Sequence, residues 1–96
     1  MSQAAMKQTV FNVSTATVEL ITRILAQFPQ AQIRPRSVPL ADEDISLEVV
    51  LPMTMAEIYQ VREWIYDLVI ELQDRYDLLI MASAIPQKER TNINPQ

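Results

Sequence analysis

Apolar residues recur at three- and four-residue intervals between Met53 and Tyr76: Ile58, Val61, Ile65, Leu68, Val69, Leu72 and Tyr76. At about 100° per residue they share one helix face, and Gln60, Glu63, Asp67, Glu71 and Asp74 fall opposite. Thr54 stands three residues before Glu57, the reciprocal pair in which each side chain satisfies an orphan backbone N–H, and Met53 is placed to pack on Ile58 as a hydrophobic staple. No Gly or Pro interrupts the run, so the pattern predicts a long helix. Tyr59, Tyr66 and Ile70 form a second stripe, offset from the first by roughly a third of a turn, and Trp64 flanks the core face on its other side. These four residues are the candidate interface, because aromatic side chains are enriched in such patches. The competing reading is a wide core stripe whose ring edges stay wet.

The rest of the chain alternates more often than it repeats. Thr9, Phe11 and Val13 against Val10 and Asn12 predict a short strand over Gln8–Val13. Ser14 or Thr15 then caps a helix that buries Val18, Ile21, Leu25 and Phe28, widened by Leu20 and Ile24, and Pro29 stops it. Gln32–Leu40 is extended, but Pro35 and Pro39 lack ladder donors and confine it to an edge or a bulge. Arg34 and Arg36 share a side there, as a solvated edge that repels wrong pairing or as a clamp for phosphate or carboxylate. Ala41–Asp44 reads as a polar turn. Ile45, Leu47, Val49 and Leu51 alternate with Ser46, Glu48 and Val50 in a half-buried strand. Asp77 ends the long helix, and Leu78–Ile85 is an apolar strand closed by Pro86.

The predicted order is therefore βαββαβ. The fold class is α+β, one sheet with two helices packed on one face in the ferredoxin-like split arrangement. Residues 7–86 form the single domain, and 1–6 and 87–96 are loose termini. The last strand falls at an edge in that topology although it is apolar on both faces. An exposed apolar edge is a liability, so the expectation is a homo-oligomer, a dimer formed by the helix stripe with the last strand as neighbour.

Composition narrows the chemistry. The 96 residues carry a net charge of −4, and the eight Lys and Arg are scattered, which argues against nucleic acid as a partner. There is no His, Cys or Gly. Thiolate chemistry, zinc–sulfur sites, imidazole catalysis and Gly-built phosphate loops are thereby excluded. Carboxylates leave hard cations such as Mg²⁺ open. Asp42, Glu43 and Asp44 are the densest acidic cluster, a solvated turn or, with Glu48, a metal site. No stretch approaches the roughly 20 apolar residues of a membrane helix, and no apolar leader follows Lys7. The expected setting is cytoplasmic, without membrane contact.

Three segments carry a resemblance: Ala26-Gln27-Phe28-Pro29 closing a helix, Asp42-Glu43-Asp44-Ile45-Ser46-Leu47-Glu48-Val49-Val50-Leu51, and Ile65-Tyr66-Asp67-Leu68 through Tyr76-Asp77-Leu78-Leu79-Ile80. Over Ala16–Glu89 the chain resembles a trimmed minimal nucleotidyltransferase domain of the bacterial toxin–antitoxin type. That family grips nucleotide phosphates with a Gly-Ser motif, which is missing here, and places metal carboxylates as Asp-x-Asp on the strand. Asp44 matches the first position and Ser46 stands at the second; Asp42 and Asp44 alternate two residues early. The segment between Ile33 and Ile45 is shorter than the family's phosphate-gripping helix requires. The resemblance implies the reduced nucleotidyltransferase-like shape without its catalytic equipment. The resulting reading is a small non-catalytic interaction or regulatory protein acting through self-association or a protein partner, with no cofactor. The alternative is a metal-dependent nucleotidyltransferase-like enzyme, or its inactive remnant, using Asp42 and Asp44 with Mg²⁺.

Overall fold

The computed structural model describes residues 3–36 and 42–87 of the chain. In order the elements are α1 (Gln3–Gln27), β1 (Gln32–Pro35), β2 (Ile45–Leu51), α2 (Met55–Tyr76) and β3 (Ile80–Pro86). The predicted extended segment reaches only Pro35, and Pro39 lies outside the described residues, as does the tail beyond Gln87.

α2 forms as its pattern dictates. Thr54 has extended backbone, its hydroxyl accepts from the Glu57 N–H, and the Glu57 carboxylate accepts from the Thr54 N–H at 2.9 Å. Ile58, Val61, Ile65, Leu68, Val69 and Leu72 are all buried. The helix ends at Asp77, which adopts the left-handed conformation (φ 56°, ψ 51°) and donates its N–H to the Gln73 carbonyl at 2.9 Å. In a chain without Gly, Asp is one of the few residues that tolerates this cap.

Among the described residues the sheet has three strands in the order β1-β2-β3. β1 pairs antiparallel with β2, from Gln32 opposite Val50 to Pro35 opposite Leu47, and Pro35 sits at the end of an edge strand where a missing donor costs nothing. β2 pairs in parallel with β3 from Ile45 opposite Ile80 to Leu51 opposite Pro86. α2 is the crossover between them. Ile45, Leu47, Val49 and Leu51 of β2 and Ile80 and Ala84 of β3 share one core with α2 and with Ala16, Leu20 and Ile24 of α1. Both helices therefore cover one side of the sheet.

The α+β class, the single sheet and the two helices on one face are as expected, but the arrangement of strands is not. The split arrangement needs a strand between the two that flank α2, and here those two pair directly. The missing strand is the one expected at Gln8–Val13, which lies inside α1. Its alternation is short enough to fit either period, and its partners come from α2: Asn12 Nδ2 donates to the Tyr76 carbonyl at 3.2 Å, and Val13 packs on the core. Ser14 and Thr15 accordingly sit within the helix rather than capping it, and residues 3–6 belong to α1 rather than to a loose terminus.

The buried face of α1 is also rotated from the expected one. Ala16, Leu20 and Ile24 are fully buried, whereas Val18 is 66% exposed and Leu25 is exposed as well. Charge explains the choice. Glu19 and Arg23 flank the Ala16–Leu20–Ile24 stripe, and in this rotation they meet Arg75 and Glu71 of α2. Arg75 Nη1 lies 2.7 Å from Glu19 Oε2, and Arg23 Nη1 lies 2.8 Å from Glu71 Oε2. Arg75 also reaches Glu71 at 2.6 Å, and the Tyr76 hydroxyl donates to Glu19 at 3.0 Å. Asn12 meets Tyr76 at one end and Phe28 packs edge-on against Trp64 at 5.3 Å at the other, so the helices run antiparallel. A fully buried Leu or Ile contributes about 1.5–3 kcal/mol against about 0–1 kcal/mol for an exposed ion pair. Packing thus holds α1 in place, and the ion pairs select which apolar stripe does the packing.

Two outcomes follow for stability. Thr54→Ala removes one half of the reciprocal cap and is expected to cost roughly 0.5–2 kcal/mol, read as a lowered urea midpoint; an unchanged midpoint would show that the cap contributes nothing. The second concerns acid. Hydrogen bonding from Arg75 holds the Glu19 carboxyl below its ordinary value against an opposing effect of burial, and Arg23 does the same for Glu71. A depressed folded-state value makes the stabilisation complete above the unfolded carboxylate value and lost as pH falls through the folded one. Urea midpoints measured from neutral pH into the acid range should therefore fall, and Glu19→Gln should flatten that fall. A wild-type and variant profile of equal slope would contradict it.

Candidate interaction surface

The expected interface residues separate into two groups. Tyr59, Tyr66 and Ile70 stand on the solvent side of α2, with Tyr66 65% exposed. Arg62 lies among them, its guanidinium 5.6 Å from the centre of the Tyr59 ring. Trp64 is half-buried and turned towards Phe28, where it packs on the core. The structure therefore brings Tyr59, Tyr66 and Ile70 to one surface and places Trp64 at the junction of the two helices.

This side of α2 borders the edge of β3 with which, among the described residues, no strand pairs. Arg62, Tyr66, Val69 and Gln73 line a groove against Ile80, Ala82 and Ala84. The small side chains of the two alanines leave it open. The apolar strand is at an edge, as expected, but its backbone is partly engaged from within the chain. Gln73 Oε1 accepts the Ile80 N–H at 2.8 Å, and Arg62 Nε donates to the Ala84 carbonyl at 3.0 Å. Contact along this side falls chiefly to side chains, with the Ala82 backbone between the two guards.

Arg34 and Arg36 do share a side, and the carboxylate they grip is the chain's own. Arg34 Nη2 lies 3.2 Å from Glu48 Oε1, and Arg36 Nη1 lies 3.2 Å from Glu48 Oε2. Each arginine takes one oxygen of Glu48, on the sheet side away from the helices. The clamp ties β1 to β2 across the ladder in which Arg34 stands opposite Glu48.

The acidic turn is similarly engaged. Asp44 Oδ2 accepts the Leu79 N–H at 2.8 Å, while its own N–H donates to the Leu79 carbonyl at 2.8 Å. Asp44 thereby fastens the entrance of β2 to that of β3. Asp42 is exposed, and Glu48 is held between the arginines. Among the described residues, no group of three or more acidic side chains is gathered as a metal site.

One surface escaped the sequence reading. Val10, Phe11 and Val18 stand out from α1, each more than 60% exposed. The signal for it is the absence of charge: from Thr9 to Gln27 only Glu19 and Arg23 are charged, and both turn to α2. Among the described residues, no helix is long and apolar enough to cross a membrane. Comparison with family models, with curated proteins and with solved structures finds no match.

Among the described residues, Asp44 is bonded to Leu79 and Glu48 to two arginines, and these carboxylates are not gathered into an oxygen cage for Mg²⁺. Thermal unfolding is expected to stay constant across a Mg²⁺ titration. A midpoint that climbs with metal concentration would reveal a site that binds the folded state.

Proposed function

We propose that this chain is a small non-catalytic interaction protein that acts as a homo-oligomer and offers a further surface to a protein partner. The observation that carries this reading is the placement of large apolar side chains outside the single core: Phe11 and Val18 on α1, and Tyr59, Tyr66 and Ile70 on α2. Isolated exposed apolar residues are ordinary. Stripes of them along both helices of a domain this small are the usual mark of contact surfaces.

The polar groups support the same reading. The carboxylates with the best geometry for chemistry, Asp44 and Glu48, are engaged in holding strands together. The guanidinium pair nearest to an anion site already holds Glu48. The side of α2 with Tyr59, Tyr66 and Ile70 is read as the partner surface, since its aromatic rings offer large, rigid contact area.

Sedimentation equilibrium tests the proposal directly. The chain has a mass of 11.0 kDa, and at micromolar concentration it is expected to sediment as a dimer or larger. A monomer throughout that range would refute self-association. Incubation with common nucleotides and Mg²⁺ or Mn²⁺ is expected to yield no transfer, and turnover abolished by Asp44→Asn would overturn the non-catalytic reading.

A further inference from the structure

The solvent side of α2 carries charge as well as rings. Glu63, Asp67 and Asp74 are interleaved with Tyr59, Tyr66 and Ile70 within about 100° of the helix circumference, and all six are exposed. None of the three carboxylates has an ion-pair partner among the described residues. The other acids of α2 are engaged, Glu57 in the cap and Glu71 with Arg23 and Arg75. Both cations of α2 are held at the margins of the stripe. Arg75 bonds Glu19 and Glu71 on the α1 side. Arg62 bonds the Ala84 carbonyl on the β3 side, with its guanidinium 5.6 Å from the centre of the Tyr59 ring.

This distribution works against the helix that bears it. Glu63 and Asp67 stand at i and i+4, where like charges repel. Asp74 lies in the last turn, where the negative end of the helix dipole opposes a carboxylate. In its reciprocal cap and unbroken core face α2 otherwise follows the local rules for a stable helix. Rules broken in a segment that keeps the rest mark a place that serves something besides stability. Resting on the assignment of this side of α2 as the partner surface, we propose that the stripe takes a basic amphipathic helix of a different protein. The apolar side chains of that helix pack on Tyr59, Tyr66 and Ile70, and its Lys or Arg side chains pair with Glu63, Asp67 and Asp74.

Charge decides against a second copy as the occupant. α2 laid on α2 would set these acids against their own kind, and the net charge of −4 adds to the repulsion. Nor does the chain hold a helix that fits: α1 has only Lys7 and Arg23 as cations, near its opposite ends, and Arg23 is bound to Glu71. Geometry decides for a helix. Tyr59, Glu63, Tyr66, Ile70 and Asp74 stand at i, i+4, i+7, i+11 and i+15, a spacing that a helix lying alongside matches turn for turn. The stripe runs about 22 Å at 1.5 Å per residue, roughly four turns of such a partner. An extended segment would instead seek the β3 ladder, where Gln73 and Arg62 hold the Ile80 N–H and the Ala84 carbonyl. The Tyr66 ring, 65% exposed, offers its face to a cation as the Tyr59 ring already does to Arg62.

The probe is a fluorescein-labelled peptide of about 18 residues with Leu at i, i+3, i+4 and i+7 spacing and Lys on either side of them, beside versions in which every Lys is Gln or Glu. Fluorescence anisotropy with the full chain is expected to show saturable one-to-one binding of the Lys peptide, about tenfold or more tighter than the Gln peptide, and no binding of the Glu peptide. Asp67→Lys, and separately the double variant Tyr66→Ala with Ile70→Ala, are each expected to weaken the Lys peptide about tenfold or more. Asp67→Lys places a cation four residues from both Glu63 and Glu71, so the far-UV circular dichroism of the free chain should match the wild type. Gln30→Lys with Gln32→Lys adds the same charge at the β1 edge of the sheet and is expected to leave binding within about twofold. An equal loss in that control would show attraction to bulk charge and refute the site. Undiminished binding of a Lys peptide interrupted by two central prolines would refute a helical occupant. Gln and Lys peptides of equal affinity would overturn the basic partner and leave α2 standing as a partner surface. Binding by none of the three peptides would overturn that surface as well, with self-association judged separately by sedimentation.

Discussion

The direct parallel pairing of β2 with β3 is the constraint on which the rest of the molecule depends. Two antiparallel strands can be joined by a turn of two residues, but parallel neighbours need a crossover long enough to return the chain to its starting end. α2, with 22 residues, is that crossover. Asp44 fastens the starting end through both its backbone and its carboxylate at Leu79, and the Gln87 N–H closes the far end on the Leu51 carbonyl at 2.8 Å. With the two strands locked in register, the inner face of α2 has one place to go. α1 then docks on α2, and β1 is added on the other side of β2.

The two helices owe their form to different causes. α2 carries its own instructions, with a reciprocal cap at one end, a left-handed Asp77 at the other and an unbroken apolar face between. α1 lacks acidic residues in its first turn and basic residues in its last, and its middle is rich in β-branched residues that favour helices less. Its conformation is drawn from docking: Ala16, Leu20 and Ile24 on the core, and the Glu19, Arg23, Glu71 and Arg75 lattice beside them.

This difference governs what could be read from the residues. α2 and β2 were legible nearly to their ends, since local spacing and tertiary burial agree there. The alternation over Gln8–Val13 suggested a strand because six residues cannot distinguish period two from period 3.6 when the pairing partner lies at Tyr76, far along the chain. α1 offers two apolar stripes of comparable strength, and only the positions of Glu71 and Arg75 on another helix decide which is buried. For the candidate sites, Tyr59, Tyr66 and Ile70 were visible from the width of the α2 pattern. The partnership of Trp64 with Phe28 was not, nor was the engagement of Arg34 and Arg36 by Glu48. Each depends on a cross-chain neighbour that spacing cannot reveal.

The two side chains that reach the outer rim of β3 bear on how the protein behaves when crowded. An apolar strand with an open ladder is a template on which identical strands can add one after another, the route to cross-β fibrils. Gln73 occupies the donor at Ile80, Arg62 occupies the acceptor at Ala84, and Pro86 has no N–H to give. Arg62 and Gln73 thus fill the two outward ladder positions that flank Ala82, and a strand added at this rim would have to break both bonds before it could pair beyond that residue.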